Sequence, residues 1–132
     1  PITCKLENGF VSEITGGEEA KRLLHTISDA EKRAENYEKE GKLPVGQGIV
    51  HKRNARNIGE LGIGLNPAAT ITGNMLEDEK AFRTCHLAIG ENFDNDGNSL
   101  IHLDGVVRNP TIVLKYEKGE EKIILQKGEL VC

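Results

Sequence analysis

The chain reads as an α+β domain, and three features of its pattern predict that class. Residues 2–14 alternate apolar and polar side chains on either side of Asn8-Gly9, which is the pattern of a β-hairpin closed by a two-residue turn. Between Glu18 and Gly41, apolar residues recur at three- and four-residue steps, the period of one long amphipathic helix. Further on, short alternating or glycine-spaced apolar runs predict a mixed sheet.

The first expected strand, Ile2–Leu6, turns at Asn8-Gly9 into a second, Phe10–Ile14. Gly16-Gly17 breaks it, and Glu18-Glu19 opens the helix with acids at its positive end. Ala20, Leu23, Leu24, Ile27, Ala30, Ala34 and Tyr37 make the apolar stripe, charged residues surround it, and Gly41 is the expected stop. Residues 42–55 carry mixed signals and are expected to be a loop. Gly46-Gln-Gly48 begins like a dinucleotide fingerprint, but His51 stands at the third glycine position. Ile58–Leu65 is an apolar run spaced by glycines with one acid, Glu60, in it. Leu76–Phe82 is expected to form a helical turn, Thr84–Ile89 and Ile101–Val107 strands, and Ile112–Tyr116 with Lys122–Leu125 the last pair.

At 132 residues the chain is expected to be a single domain with one modest core. Its five aromatic residues (Phe10, Tyr37, Phe82, Phe93, Tyr116) and absence of tryptophan make that core mostly aliphatic. A net charge of -4 without a basic, aromatic-interleaved stripe speaks against a nucleic-acid partner. No apolar run reaches the roughly 18 residues of a membrane span and no signal pattern is present, so no membrane partner and a cytoplasmic location are expected. Cys4, Cys85 and Cys132, odd in number and far apart, fit a reducing compartment.

Metal-capable side chains are densest between Met75 and Gly105. Glu77, Asp78 and Glu79 come first; three acids at a helix start commonly make a solvated, dipole-matched face. His86 follows in an apolar run, and the alternation of that strand turns Cys85 away from it. Cys85 therefore reads as core and not as a nucleophile paired with His86. Asn92–Gly97 imitates the start of an EF-hand loop, but Leu103 occupies the place of the bidentate glutamate. His102 and Asp104, two residues apart on a strand, project from one face. Such a pair can chelate a divalent ion or form a structural hydrogen bond, and spacing alone does not choose. Glu60 is left with three environments: water, a salt bridge or a cation. His25 reads as a helix-rim residue and His51 as a loop residue.

Three ordered motifs run through this region. They are Asn57-Ile-Gly-Glu60-Leu-Gly-Ile-Gly-Leu-Asn66-Pro67, Asp78-Glu79-Lys80 … Thr84-Cys-His86-Leu-Ala-Ile-Gly90, and His102-Leu-Asp104. Together they resemble the thermophilic leucyl aminopeptidase (aminopeptidase T/S) family of metallopeptidases, in its C-terminal region. They also resemble the iron-dependent 2,5-dihydroxypyridine dioxygenases. The peptidase resemblance implies Glu60, His86, His102 and Asp104 as metal ligands. It further implies a paired site of zinc, cobalt or manganese, a metal-activated water as nucleophile and a small peptide as substrate. Glu79 belongs to the matching pattern without an implied ligand role.

Three positions depart from that pattern. Arg83 stands where the resembling sequences tend to carry a small residue. Phe93 stands where they carry a tyrosine, and it has no hydroxyl to donate. A further upstream glutamate ligand has no counterpart, so the resemblance makes these residues the expected C-terminal part of a longer metalloenzyme.

Three functions follow as expectations. The first is a metal-dependent aminopeptidase domain. The second is an iron-dependent ring-cleaving dioxygenase, with His86, His102 and Asp104 as a facial triad. The third is a non-catalytic oligomerisation module. Open strand edges in Ile2–Leu6 or Ile112–Leu125 make a homo-oligomer, such as a dimer, the expected assembly.

Overall fold

A computed structural model describes residues 1–131. It contains three helices and eight strands in three small sheets, a mixed α+β fold. Contacts group the residues into two compact units, Pro1–Glu60 with Ala88–Leu103, and Leu61–Leu87 with Asp104 onward.

In the first unit, β1 (Ile2–Glu7) and β2 (Phe10–Gly16) pair antiparallel as a hairpin. Asn8 and Gly9 both take positive φ, 53° and 82°, which gives the turn a twist matching its strands. Helix α1 (Glu18–Lys39) buries Ala20, Ile27, Ala30 and Ala34 along one stripe. It ends in a left-handed Gly41 (φ 72°): Gly41 N–H donates to the Glu38 carbonyl and Lys42 N–H to that of Tyr37, satisfying the last-turn acceptors. Val11, Ile27, Ala30, Ala55 and Ile89 form the core, against which Ile14, Leu23, Ile58, Ile101 and Leu103 pack.

The expected loop at 42–55 is partly a second helix, α2 (Gln47–Asn54). It has no apolar stripe to announce it. What builds it is distant in sequence: the Glu38 carboxylate accepts hydrogen bonds from Gly46 N–H (2.9 Å) and Gly48 N–H (2.5 Å) and so caps the new helix from α1. Gly48 also lies so close to α1 that an added Cβ would come within 2.9 Å of Glu38 Cβ. These two donors hold the Glu38 carboxyl below its ordinary range. A depressed pKa adds stability that is present above 4.5, the ordinary value, and is lost as pH falls further. The protection of the Gly46 and Gly48 amides, relative to their intrinsic exchange rates, should therefore fall below that pH, and Glu38→Ala should produce the same loss at neutral pH. Unchanged protection in the variant would show that the cap is idle.

Strands β3 (Ile58–Gly64), β4 (Thr84–Gly90) and β5 (His102–Arg108) form the second sheet, in that order. The third sheet comprises β6 (Ile112–Lys115), β7 (Glu121–Gln126) and β8 (Glu129–Leu130) in the second unit. The β8 strand is a two-residue addition after the Lys127-Gly128 turn and gives too short a pattern to be read from sequence. The hairpin stands apart as expected, whereas the single mixed sheet expected after the helix is divided into two. Between β3 and β4, the short helix α3 (Met75–Asp78) is capped by the Asn74 side chain, which accepts from Leu76 N–H. Among the described residues no helix is long and apolar enough to cross a membrane.

Candidate metal centre

The four expected ligands all lie on the β3-β4-β5 sheet: Glu60 on β3, His86 on β4, His102 and Asp104 on β5. Within the first unit, Ile101 and Leu103 pack on the apolar core. Strand alternation then turns His102, between them, to the opposite face. Asp104 follows on that same face, two residues along the strand.

Glu60, His102 and Asp104 are all partly buried, and each offers a ligand atom that lies within 4.8 Å of those of the other two. Glu60 Oε2 is 3.6 Å from His102 Nε2. That distance is long for a hydrogen bond. Two donors that share a tetrahedral ion at about 2.1 Å each stand about 3.4 Å apart, so the spacing fits a common cation closely.

The other face of the imidazole is specified as well. His102 Nδ1 is 2.7 Å from the Glu91 carbonyl oxygen. A carbonyl can only accept, so Nδ1 carries the proton and donates. In the neutral ring Nε2 then presents its lone pair toward Glu60, the arrangement that prepares a histidine for a metal. Nothing in the side chain of Glu91 announces this role. It belongs to a backbone oxygen whose place is set by pairing, Glu91 N–H donating to the Ile101 carbonyl at 2.7 Å.

His86 is not one of that three-residue group. It is buried at 4% exposure, in a strand whose residues are buried on both faces. Its ring lies against β3 at Gly62: a Cβ added there would fall 2.0 Å from His86 Cε1. The glycine-spaced run is therefore a matter of clearance as well as strand formation. Gly62→Ala must expel the ring, and we expect it to cost about 1–3 kcal/mol, the usual effect of overpacking. Urea unfolding together with the His86 ring resonances measures it; a ring that stays in place at unchanged stability would refute the clearance.

The acids at 77–79 serve the chain itself. Asp78 is buried and accepts from Thr72 N–H (2.8 Å) and Gly73 N–H (3.1 Å), while Glu77 accepts from Thr70 N–H (3.2 Å), so both staple the preceding loop. Glu79 pairs with Lys80. Cys85 is buried, and burial pushes its thiol up from the ordinary value. His25 is exposed on α1, and His51 Nδ1–H donates to the Gln47 carbonyl at 2.8 Å within α2.

Two of the sequence departures acquire structural content. Arg83 has φ 64°, in the left-handed region where glycine carries no penalty. Phe93 is 77% exposed, and its ring centroid stands 4.9 Å from that of His102, tilted by 45°. It forms an apolar edge beside the candidate ligand and supplies no proton. A groove of about 830 Å³ in the first unit lies elsewhere, lined by Glu35 and Glu38 of α1, Val45 just before α2 and Ile49 within it.

In comparison with known proteins, no family model, no curated protein and no solved structure matches the chain.

Proposed function

We propose that this chain is a metal-dependent aminopeptidase domain in which Glu60, His102 and Asp104 hold a divalent ion. One observation carries the reading: three ligand atoms from two strands within 4.8 Å of one another, two of them spaced as a shared ion requires. The donor set favours hydrolysis over oxygen chemistry. It comprises one imidazole and two carboxylates, as suits zinc, cobalt or manganese, whereas the facial triad of iron oxygenases takes two imidazoles and one carboxylate. His86 is the fourth ligand that the family resemblance implies for a paired site.

Bound there, the metal would polarise a peptide carbonyl and lower the pKa of a coordinated water. The chain's own residues do the rest. The Glu91 carbonyl keeps the proton of His102 on Nδ1, so Nε2 remains a ligand. Glu60 and Asp104 supply negative charge that offsets the cation. Phe93 excludes water from one side of His102 and offers apolar contact to a substrate, and the leaving amine must take its proton from a group other than residue 93. The open β1 strand, exposed along all six residues, supports association with a second copy.

Native mass spectrometry of the full polypeptide, purified without chelator, counts metals and subunits together. Bound zinc, cobalt or manganese with chelator-sensitive hydrolysis of a leucyl dipeptide is the expected result. A bound iron with oxygen consumption on a dihydroxypyridine would replace it by the dioxygenase, and a folded chain without metal would leave only the oligomerisation module.

A further inference from the structure

The bond from His102 Nδ1–H to the Glu91 carbonyl requires that oxygen to occupy a particular place beside β3. A methyl group built on Gly59 would lie 2.4 Å from it and 2.9 Å from the Gly90 oxygen. These contacts are with backbone, and the backbone there is held from several sides. Gly90 N–H donates to the Asn57 carbonyl at 2.8 Å, Asn57 Nδ2–H donates to the Gly90 carbonyl at 3.2 Å, and Glu91 N–H donates to the Ile101 carbonyl at 2.7 Å. The peptide cannot yield to a side chain at position 59 without giving up some of these bonds or the one to His102.

We infer that Gly59 is a positioning residue for His102. Its lack of a side chain leaves the Glu91 oxygen room to hold the Nδ1 proton, and that hold keeps the Nε2 lone pair facing Glu60. Strand β3 thus contributes twice: Glu60 as a ligand and, one residue earlier, the clearance that orients a second ligand on β5. The effect on metal affinity rests on the proposed metal centre, whereas the tautomer of His102 is a property of the chain alone.

The test uses the full polypeptide labelled with ¹⁵N-histidine. Long-range ¹H–¹⁵N correlations, recorded without metal at a pH where the rings are neutral, give the tautomer of each imidazole. His102 in the unsubstituted protein should carry its proton on Nδ1. Gly59→Ala should move population to the Nε2–H form and weaken zinc or cobalt binding about 10–100-fold, the range for loss of an outer partner of a ligating histidine. Gly105→Ala is the control on the same sheet, since an added methyl there meets only the Leu87 carbonyl at 3.9 Å. It should change neither readout. Unaltered tautomer and affinity in Gly59→Ala would overturn the inference. So would a proton on Nε2 in the unsubstituted protein, a result that needs no variant to fold. A chain with Nδ1–H at His102 but no affinity for metal would preserve the role of Gly59 and remove the metal centre instead.

Discussion

His102→Ala should abolish metal binding at the Glu60–His102–Asp104 group, with the apparent affinity for zinc or cobalt falling by more than about 100-fold. Loss of an outer partner alone costs up to that much, and here a ligand itself is deleted. The two remaining carboxylates would supply only two ligand atoms, fewer than the three protein ligands of a catalytic zinc site. Peptide hydrolysis should fall with the metal. His25→Ala and His51→Ala give the comparison, since one ring is exposed on α1 and the other is engaged with its own helix; both variants should retain full metal content. A folded His102→Ala protein that keeps its metal would remove His102 from the site.

Ile27→Ala should produce the largest loss of stability, about 2–5 kcal/mol in urea unfolding, as for other aliphatic truncations in close-packed cores. Ile27 is fully buried and belongs to the cluster of Val11, Ala30, Ala55 and Ile89. Three of its four cluster neighbours are alanine or valine, and such small side chains collapse poorly into a vacated space. Ile27→Val removes one methylene and should cost about 0.5–1.5 kcal/mol. The same core seats Ile101 and Leu103, whose packing turns His102 to the far face. Loosening at Ile27 should therefore also broaden the His102 resonances. If Ile27→Ala cost less than about 1 kcal/mol, the cluster would not be the anchor of this unit.

Elements with a local cause could be read from the sequence. The Asn8-Gly9 turn, the α1 stripe and its Gly41 stop are set by φ preference and periodicity within a few residues, and the boundaries fall within one or two positions of the expected ones. Helix α2 could not be read this way, because its cap comes from Glu38, eight to ten residues earlier, and its close packing from Gly48. At the candidate centre, the i, i+2 spacing of His102 and Asp104 places both on one strand face, and this is visible in the sequence. The approach of Glu60 to His102 is not, since it depends on strand pairing. The least legible parts are the ones without a side chain: the Glu91 carbonyl that fixes the His102 proton, and the empty space at Gly59 and Gly62 that admits it and the His86 ring. A glycine-spaced strand records such clearances only as missing atoms.

Anomalous diffraction from crystals soaked in zinc tests the metal centre most directly. A peak is expected at about 2.0–2.2 Å from one oxygen of Glu60, Nε2 of His102 and one oxygen of Asp104. A well-diffracting crystal in which zinc occupies other sites while these three side chains bind none would contradict it.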